Sequence, residues 1–192
     1  MSATRLPGKP LFKINNLSII SHVVNKAKKT GIGRVVVCTE DQLILEDVIK
    51  NGGEAILTNN HHKSGTDRIF EAYKKLDIKD IKYILNIQGD EPAIDEKDII
   101  SLNNMMIETN ANIGTLGAEI KSNKIFSDEN IVKVTTKEKL NNKNSSLALS
   151  FKRNHVSKKG ENIYHHIGIY AYEVKTLEKF INLNQTKNEI QN

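Results

Sequence analysis

With a single cysteine, Cys38, the sequence cannot build a disulfide-stapled scaffold. That cysteine lies inside an apolar run, so it reads as a buried thiol in a reducing compartment, and no motif around it supports nucleophilic chemistry. There are only three prolines in 192 residues, and no tandem repeat or low-complexity segment, which excludes Pro-rich linkers, collagen-like arrays and solenoids. No apolar run approaches the ~20 residues that cross a bilayer as a helix, and nothing resembles a secretory leader. The net charge is +5, but the lysines are scattered and tryptophan is absent. Without an arginine-rich block or basic–aromatic interleaving, the case for a nucleic-acid-binding module is weak. Modest basicity also suits a protein that handles polyphosphates and acidic sugars.

What is present is alternation. Ile19, Ile20, Val23, Val24 and Ala27 recur at helical spacing, with Asn16 or Ser18 as a cap and Gly31 as a stop. Residues 34–38 (Arg-Val-Val-Val-Cys) form a β-branched run suited to a strand buried on both faces. A helix over 42–50 and a short strand over 54–57 follow, then a helix from about Ser64 to Leu76 and a central strand over 83–87. Beyond these the pattern predicts a helix over 96–106, strands over 112–120, 131–134, 147–151 and 166–172, and a helix over 174–182. The stretches 137–146 and 152–161 read as loops. This order predicts one α/β domain with a mixed, mostly parallel sheet flanked by helices.

Three stretches carry candidate chemistry. Gln88-Gly-Asp-Glu-Pro92 turns abruptly out of the central strand, and Asp90 there is placed to bind Mg²⁺ shared with substrate phosphates, because ligands of open α/β sheets gather beyond the carboxyl ends of the strands. The other reading is a strand-ending turn with solvated acids. Near the start, Arg5 and Lys9 sit on a Pro- and Gly-containing loop that could wrap a triphosphate, or simply form a basic terminus. Ser64-Gly-Thr-Asp-Arg68 opens a helix whose free amides favour an anion, with Arg68 one turn in; the same residues also make a plain helix start. The adjacent His61 and His62 diverge and lack a nearby third ligand, which argues against a metal site there.

Taken together, Ser2-Ala-Thr-Arg-Leu-Pro-Gly-Lys-Pro-Leu11, Ser64-Gly-Thr-Asp-Arg68, Gln88-Gly-Asp-Glu-Pro92, Asn130-Ile-Val-Lys-Val134 and His166-Ile-Gly-Ile-Tyr-Ala-Tyr172 resemble, in order and spacing, the 3-deoxy-manno-octulosonate cytidylyltransferase family, the CMP-Kdo synthetases. The resemblance implies a Rossmann-like nucleotidyltransferase fold of the nucleotide-diphospho-sugar transferase type, a homodimer, and a cytoplasmic enzyme feeding lipopolysaccharide synthesis. It implies CTP and Kdo as substrates, Mg²⁺ as cofactor, and CMP-Kdo and pyrophosphate as products. By motif, Arg5 and Lys9 would hold the triphosphate and act in catalysis with Asp90, the metal ligand. Ser64, Gly65, Thr66, Arg68 and Gln88 would line the nucleotide site, and Gln88, Arg153 and His166 the sugar side. Alternatives within the same reading are a cytidylyltransferase for another sugar acid such as sialic acid, and a non-catalytic nucleotide-binding remnant.

The sequence also departs from the family pattern. It lacks the apolar first strand ending in Pro-Ala-Arg, which in the family lies between the strands read here over 34–38 and 83–87, and it lacks a late Asp-Thr-Pro motif carrying a second Mg²⁺-binding aspartate. Lys152 stands where serine is usual, and Val156-Ser157 replaces Ile-Pro. These departures predict a chain truncated at both ends, with one metal carboxylate left.

Overall fold

A computed structural model describes residues 8–62, 64–141, 144–156 and 160–184. The chain enters through a 3₁₀ turn at Lys9–Leu11 and a small antiparallel hairpin, β1 (Lys13–Ile14) with β2 (Leu17–Ser18). Helix α1 (Ile19–Lys29) follows, with Ser18 as its cap: the Ser18 hydroxyl accepts from Ser21 N–H at 3.2 Å. It also donates to Asp47, which takes a second hydrogen bond from Ser21 Oγ at 3.0 Å. This ties α1 to α2 (Gln42–Lys50) through a shared carboxylate. The apolar stripe of α1 (Ile20, Val24) packs with Val48 of α2 against Val35 and Val37, forming one core cluster.

Strands β3 (Val37–Thr39) and β4 (Ala55–Leu57) pair in parallel, joined by α2. Helix α3 (Gly65–Leu76) then leads to β5 (Tyr83–Asn86), and α4 (Glu96–Thr109) to β6 (Ile113–Glu119). A short helix α5 (Asn123–Ser127), strands β7 (Lys133–Thr136), β8 (Ala148–Lys152) and β9 (Asn162–Glu173), and α6 (Val174–Phe180) complete the order. β9 is the spine of a five-stranded sheet, pairing antiparallel with β5, β6 and β7, while β8 pairs antiparallel with β7. The second core cluster lies between α4 and this sheet, with Ile99, Leu102, Met106, Ile169 and Ala171 all buried. Each such side chain contributes roughly 1.5–3 kcal/mol by leaving water.

The α/β architecture agrees with the sequence, but the expectation of a mostly parallel sheet does not. Among the described residues only β3 and β4 pair in parallel; every pairing in the five-stranded sheet is antiparallel. The reason is β9, which has twelve residues instead of the expected seven. Its length lets it run against β5 at one end and β7 at the other.

The stretches 34–38 and 83–87 also lack the expected neighbours on both edges. β5 pairs on one edge with β9 and β3 on one edge with β4. Their other edges face a cleft of ≈ 470 Å³ lined by Val35, Val37, Ala72, Ile84, Leu85 and Ile99, among others. The resemblance expects a strand between these two, and the described residues place none there. Val35 and Val36, although β-branched, therefore lie outside any ladder. Cys38, expected to be buried, is half-buried on the same cleft, and burial still pushes its thiol pKa up to about 11 despite the nearby Arg68.

Candidate active site

The turn after β5 carries the central carboxylates. Gly89 approaches α1 so closely that a Cβ would lie 2.7 Å from Ile20 Cδ1, so the turn packs directly against that helix. Lys9, on the 3₁₀ turn 81 residues earlier, donates to Asp90 Oδ2 at 2.9 Å. The two side chains are 34% and 40% exposed, so the pair stands open to solvent. Beside it, burial and the neighbouring Asp90 push the Glu91 carboxyl up, against the opposing pull of Lys9 and His165. His165, on β9, thus lies within electrostatic reach of Glu91, and the motifs did not single it out. Arg5 lies outside the described residues.

Among the described residues no three His, Cys, Asp or Glu side chains are grouped to hold a metal by themselves. One carboxylate beside a lysine fits a hard cation only if phosphate oxygens complete its shell.

β9 connects this turn to the other candidate residues. Gln88 Nε2 donates to Gly168 O at 3.5 Å. His166, Tyr170 and Tyr172 form a ladder of rings, with centroids 5.3 Å and then 5.9 Å apart. At its far end the Tyr172 hydroxyl meets Thr66 Oγ1 at 3.5 Å, at the start of α3. The ladder thus runs from the expected sugar side to the expected nucleotide side. Thr115 Oγ1 donates to Ile169 O at 2.6 Å and lies 3.0 Å from His166 Nε2, which makes that ring nitrogen the donor between them. Burial, with His165 nearby, lowers the His166 pKa and so favours the uncharged ring.

The start of α3 divides into two functions. Ser64 and Asp67 close a capping box: Asp67 N–H donates to Ser64 Oγ at 3.2 Å, and Ser64 N–H donates to Asp67 Oδ2 at 3.1 Å. The Ser64 side chain is thereby used by the helix itself, as the plain helix-start reading has it. Gly65 has open space where a Cβ would be, and it leaves the helix N-terminus approachable. Arg68, expected on the phosphates, is instead only 9% exposed. Its Nη1 donates to Thr58 Oγ1 at 2.7 Å and to Asn59 O at 3.2 Å, and its Nη2 bonds Glu40. It braces the carboxyl ends of β3 and β4 against the base of α3. Sequence spacing placed Arg68 near the nucleotide but gave no sign of Glu40, 28 residues earlier, as its partner.

Arg153 lies just beyond β8, the strand whose Phe151 ring meets the His166 ring edge-on at 5.1 Å. Its Nη1 donates to Asn130 O at 3.1 Å, and no carboxylate of the described residues pairs with it.

The layered α/β fold, with Lys9 and Asp90 paired at the end of β5 and the N-terminus of α3 following β4, suits a protein that binds nucleotide phosphates. The comparisons narrow this. A family model described as cytidylyltransferase matches residues 1–191. The 3-deoxy-manno-octulosonate cytidylyltransferase of Nitrobacter hamburgensis is 41% identical over 184 residues, covering 95% of this chain and 70% of that one. Its counterpart in Bartonella tribocorum is 40% identical over 192 residues, covering 99% and 78%. A solved CMP:2-keto-3-deoxy-manno-octonic acid synthetase complexed with CTP superposes with a TM-score of 0.84 at 32% identity, covering 98% of this chain and 76% of that one. A 4-diphosphocytidyl-2C-methyl-D-erythritol synthase from Anaerococcus prevotii, at 14% identity and a TM-score of 0.57, shares the fold. The chain belongs to the cytidylyltransferase family, among its 3-deoxy-manno-octulosonate members.

Proposed function

We propose that the protein transfers CMP from CTP to Kdo, releasing pyrophosphate. The observation that carries this reading is the Lys9–Asp90 pair at the end of β5, in a chain whose relatives at about 40% identity carry that activity by name. In the proposed reaction the anomeric hydroxyl of Kdo attacks the α-phosphorus of CTP. The new O–P bond forms as the bond to the bridging oxygen of the β-phosphate breaks, pyrophosphate leaves with that oxygen, and the hydroxyl proton passes to solvent water. The protein's part is positioning and charge stabilisation, since phosphoryl-type transfer asks for little covalent chemistry from side chains.

Lys9, together with Arg5, would neutralise the departing pyrophosphate. The amides of Gly65 and Thr66 at the start of α3 would take nucleotide oxygens, and Gln88 would contact nucleotide or sugar. Arg153 would hold the Kdo carboxylate, with His166 accepting a hydrogen bond from a sugar hydroxyl at Nδ1. Asp90 is the residue that would hold Mg²⁺ jointly with the phosphates, and the ion would supply charge neutralisation there.

The same reading carries a homodimer and a place in the cytoplasm, for lipopolysaccharide synthesis. No helix among the described residues is long and apolar enough to cross a membrane. The test is pyrophosphate release from CTP, Mg²⁺ and Kdo, with Asp90→Asn as control. Release that requires Kdo and falls at least ~100-fold in the variant supports the reading. Release that is equal with sialic acid, or unchanged in Asp90→Asn, overturns it.

A further inference from the structure

Among the described residues, the largest side chain fully withdrawn from solvent is a lysine. Lys133 on β7 is 1% exposed, although its strand register puts it directly opposite Lys152 of β8 and His165 of β9. Basic groups directly across a sheet from one another disfavour the pairing, and a buried ammonium costs still more unless its donors are satisfied. Hydrophobic packing does not account for it.

Its hydrogen bonds do. Lys133 Nζ donates to Asp128 O at 2.6 Å and to Arg153 O at 2.8 Å. Arg153 in turn donates through Nη1 to Asn130 O at 3.1 Å. Asn130 is fixed by Asp128, whose Oδ1 accepts from Asn130 N–H at 2.8 Å and from Nδ2 at 3.1 Å. The Asn130 amide, with Lys133 nearby, also holds the Asp128 carboxyl below its ordinary range. The four residues close a ring: Lys133 to Arg153, Arg153 to Asn130, Asn130 to Asp128, and Asp128 back to Lys133. Arg153 is held at both ends, its carbonyl by a buried ammonium and its guanidinium by a loop carbonyl. Because β8 ends at Lys152, nothing in the sheet ladder would otherwise fix where Arg153 points.

We propose that Lys133 is a positioning residue for the sugar acid: it sets Arg153 so that the guanidinium is presented to the ligand's carboxylate. The proposal rests on the reading of Arg153 as the sugar-side arginine. Lys133 itself makes no contact with substrate. Its effect is on the acidic sugar and not on the nucleotide, because Asp90, Lys9 and the start of α3 lie on other elements. A bidentate guanidinium–carboxylate contact loses most of its value when its aim is lost, on the order of tenfold in affinity.

The experiment measures Kd for Kdo and for CTP separately by calorimetry, for wild type, Lys133→Met, Lys133→Arg, Arg153→Ala and the double variant, with circular dichroism to check folding. Lys133→Gln replaces Lys133→Met if the latter does not fold. The expected result is Kdo binding weakened about tenfold in Lys133→Met, CTP binding changed less than about twofold, and recovery in Lys133→Arg. In the Arg153→Ala background, Lys133→Met adds nothing, because the two act in series. Loss of Kdo and CTP binding together, or additive losses in the double variant, mark Lys133 as merely structural and overturn the proposal. If Arg153→Ala weakens Kdo binding and Lys133→Met does not, the positioning role alone fails. If Arg153→Ala leaves Kdo binding unchanged, the sugar-side reading of Arg153 fails and takes the proposal with it.

Discussion

Lys9 Nζ stands 2.9 Å from Asp90 Oδ2, joining the entry turn of the chain to the end of β5. Two groups that the proposed reaction needs for opposite partners, phosphate and cation, thus neutralise each other when neither is bound. Phosphate oxygens arriving at Lys9 would release Asp90, so the proposed Mg²⁺ ligand would become available as the nucleotide enters.

This gives the first prediction. Both side chains are more than a third exposed, and an ion pair so placed contributes little to stability, on the order of 0–1 kcal/mol. Lys9→Met should leave the denaturant midpoint nearly unchanged while weakening CTP binding about tenfold, one charge-assisted contact. In the same variant Mn²⁺ should bind more tightly without nucleotide than it does in wild type, because Asp90 no longer has a resident counter-ion. Calorimetry with CTP and with Mn²⁺ alone reads both effects. Tighter CTP binding would contradict the assignment of Lys9 to the phosphates.

A second prediction concerns acid stability. Burial by itself would raise the Glu71 pKa, but hydrogen bonds from Lys75, His62 and the Asn59 N–H outweigh it and hold the carboxyl at about 2. The side chain is 14% exposed. The folded pKa lies below the unfolded value of about 4.3, so the unfolded chain binds the extra proton between those two values. The stabilisation is complete above about pH 5 and lost as pH falls through about 2, an effect of order 2–3 kcal/mol. Urea denaturation from pH 2 to 7 should show this slope in wild type and a much flatter one in Glu71→Gln. An unchanged slope would place the acid-labile carboxylate elsewhere.

How far the fold could be read in advance depended on which distance scale decided each feature. The stripe Ile19–Ala27 is local and the structure carries it as read; of the two caps the residues offered, Asn16 and Ser18, the helix uses Ser18. The direction of strand pairing is not local. Residues 83–87 show an apolar run and nothing about whether the partner runs with or against them; that is settled by β9, eighty-odd residues later. The site divides the same way. The turn that carries Asp90 was legible because Gly89 and Pro92 mark it. Lys133 stands in plain view within Ile131-Val-Lys-Val134, but only the register against β8 and β9 shows that its ammonium must find carbonyl acceptors inside the protein.

A third prediction tests the packing of α4 on the large sheet. A Cβ at Gly114 of β6 would lie 2.6 Å from Met106 Sδ and 3.2 Å from Leu102 Cδ1, both on α4. Gly114→Ala should therefore cost about 1–3 kcal/mol through overpacking, softened if the flexible methionine yields. Met106→Leu in the same chain removes the sulfur but not the bulk and should not rescue it, whereas Met106→Ala should recover part of the loss. Additive effects of the two substitutions, measured as midpoints in urea, would mean that Gly114 and Met106 do not meet.

The fourth prediction separates bracing from binding at Arg68. Its guanidinium bonds Thr58, Asn59 and Glu40, so three groups at the ends of β3 and β4 depend on it. Arg68→Met keeps the buried stem and removes every donor. Thr58, 7% exposed, then loses a charged donor, while the Glu40 carboxylate, 31% exposed, can turn to water. The full penalty of an unpaired buried charge therefore does not apply, and a loss of about 2 kcal/mol is expected, most of it from the orphaned oxygens. If Arg68 acts only as a brace, CTP affinity at a temperature where the variant is fully folded should fall less than about threefold, and Glu40→Gln, which leaves the Thr58 and Asn59 bonds in place, should cost less stability than Arg68→Met and leave the affinity unchanged. If Arg68 also reaches the phosphates, Arg68→Met should lose CTP binding tenfold or more while Glu40→Gln keeps it. Freed from Glu40, the guanidinium would then be more available to the nucleotide, and CTP would bind Glu40→Gln at least as tightly as wild type.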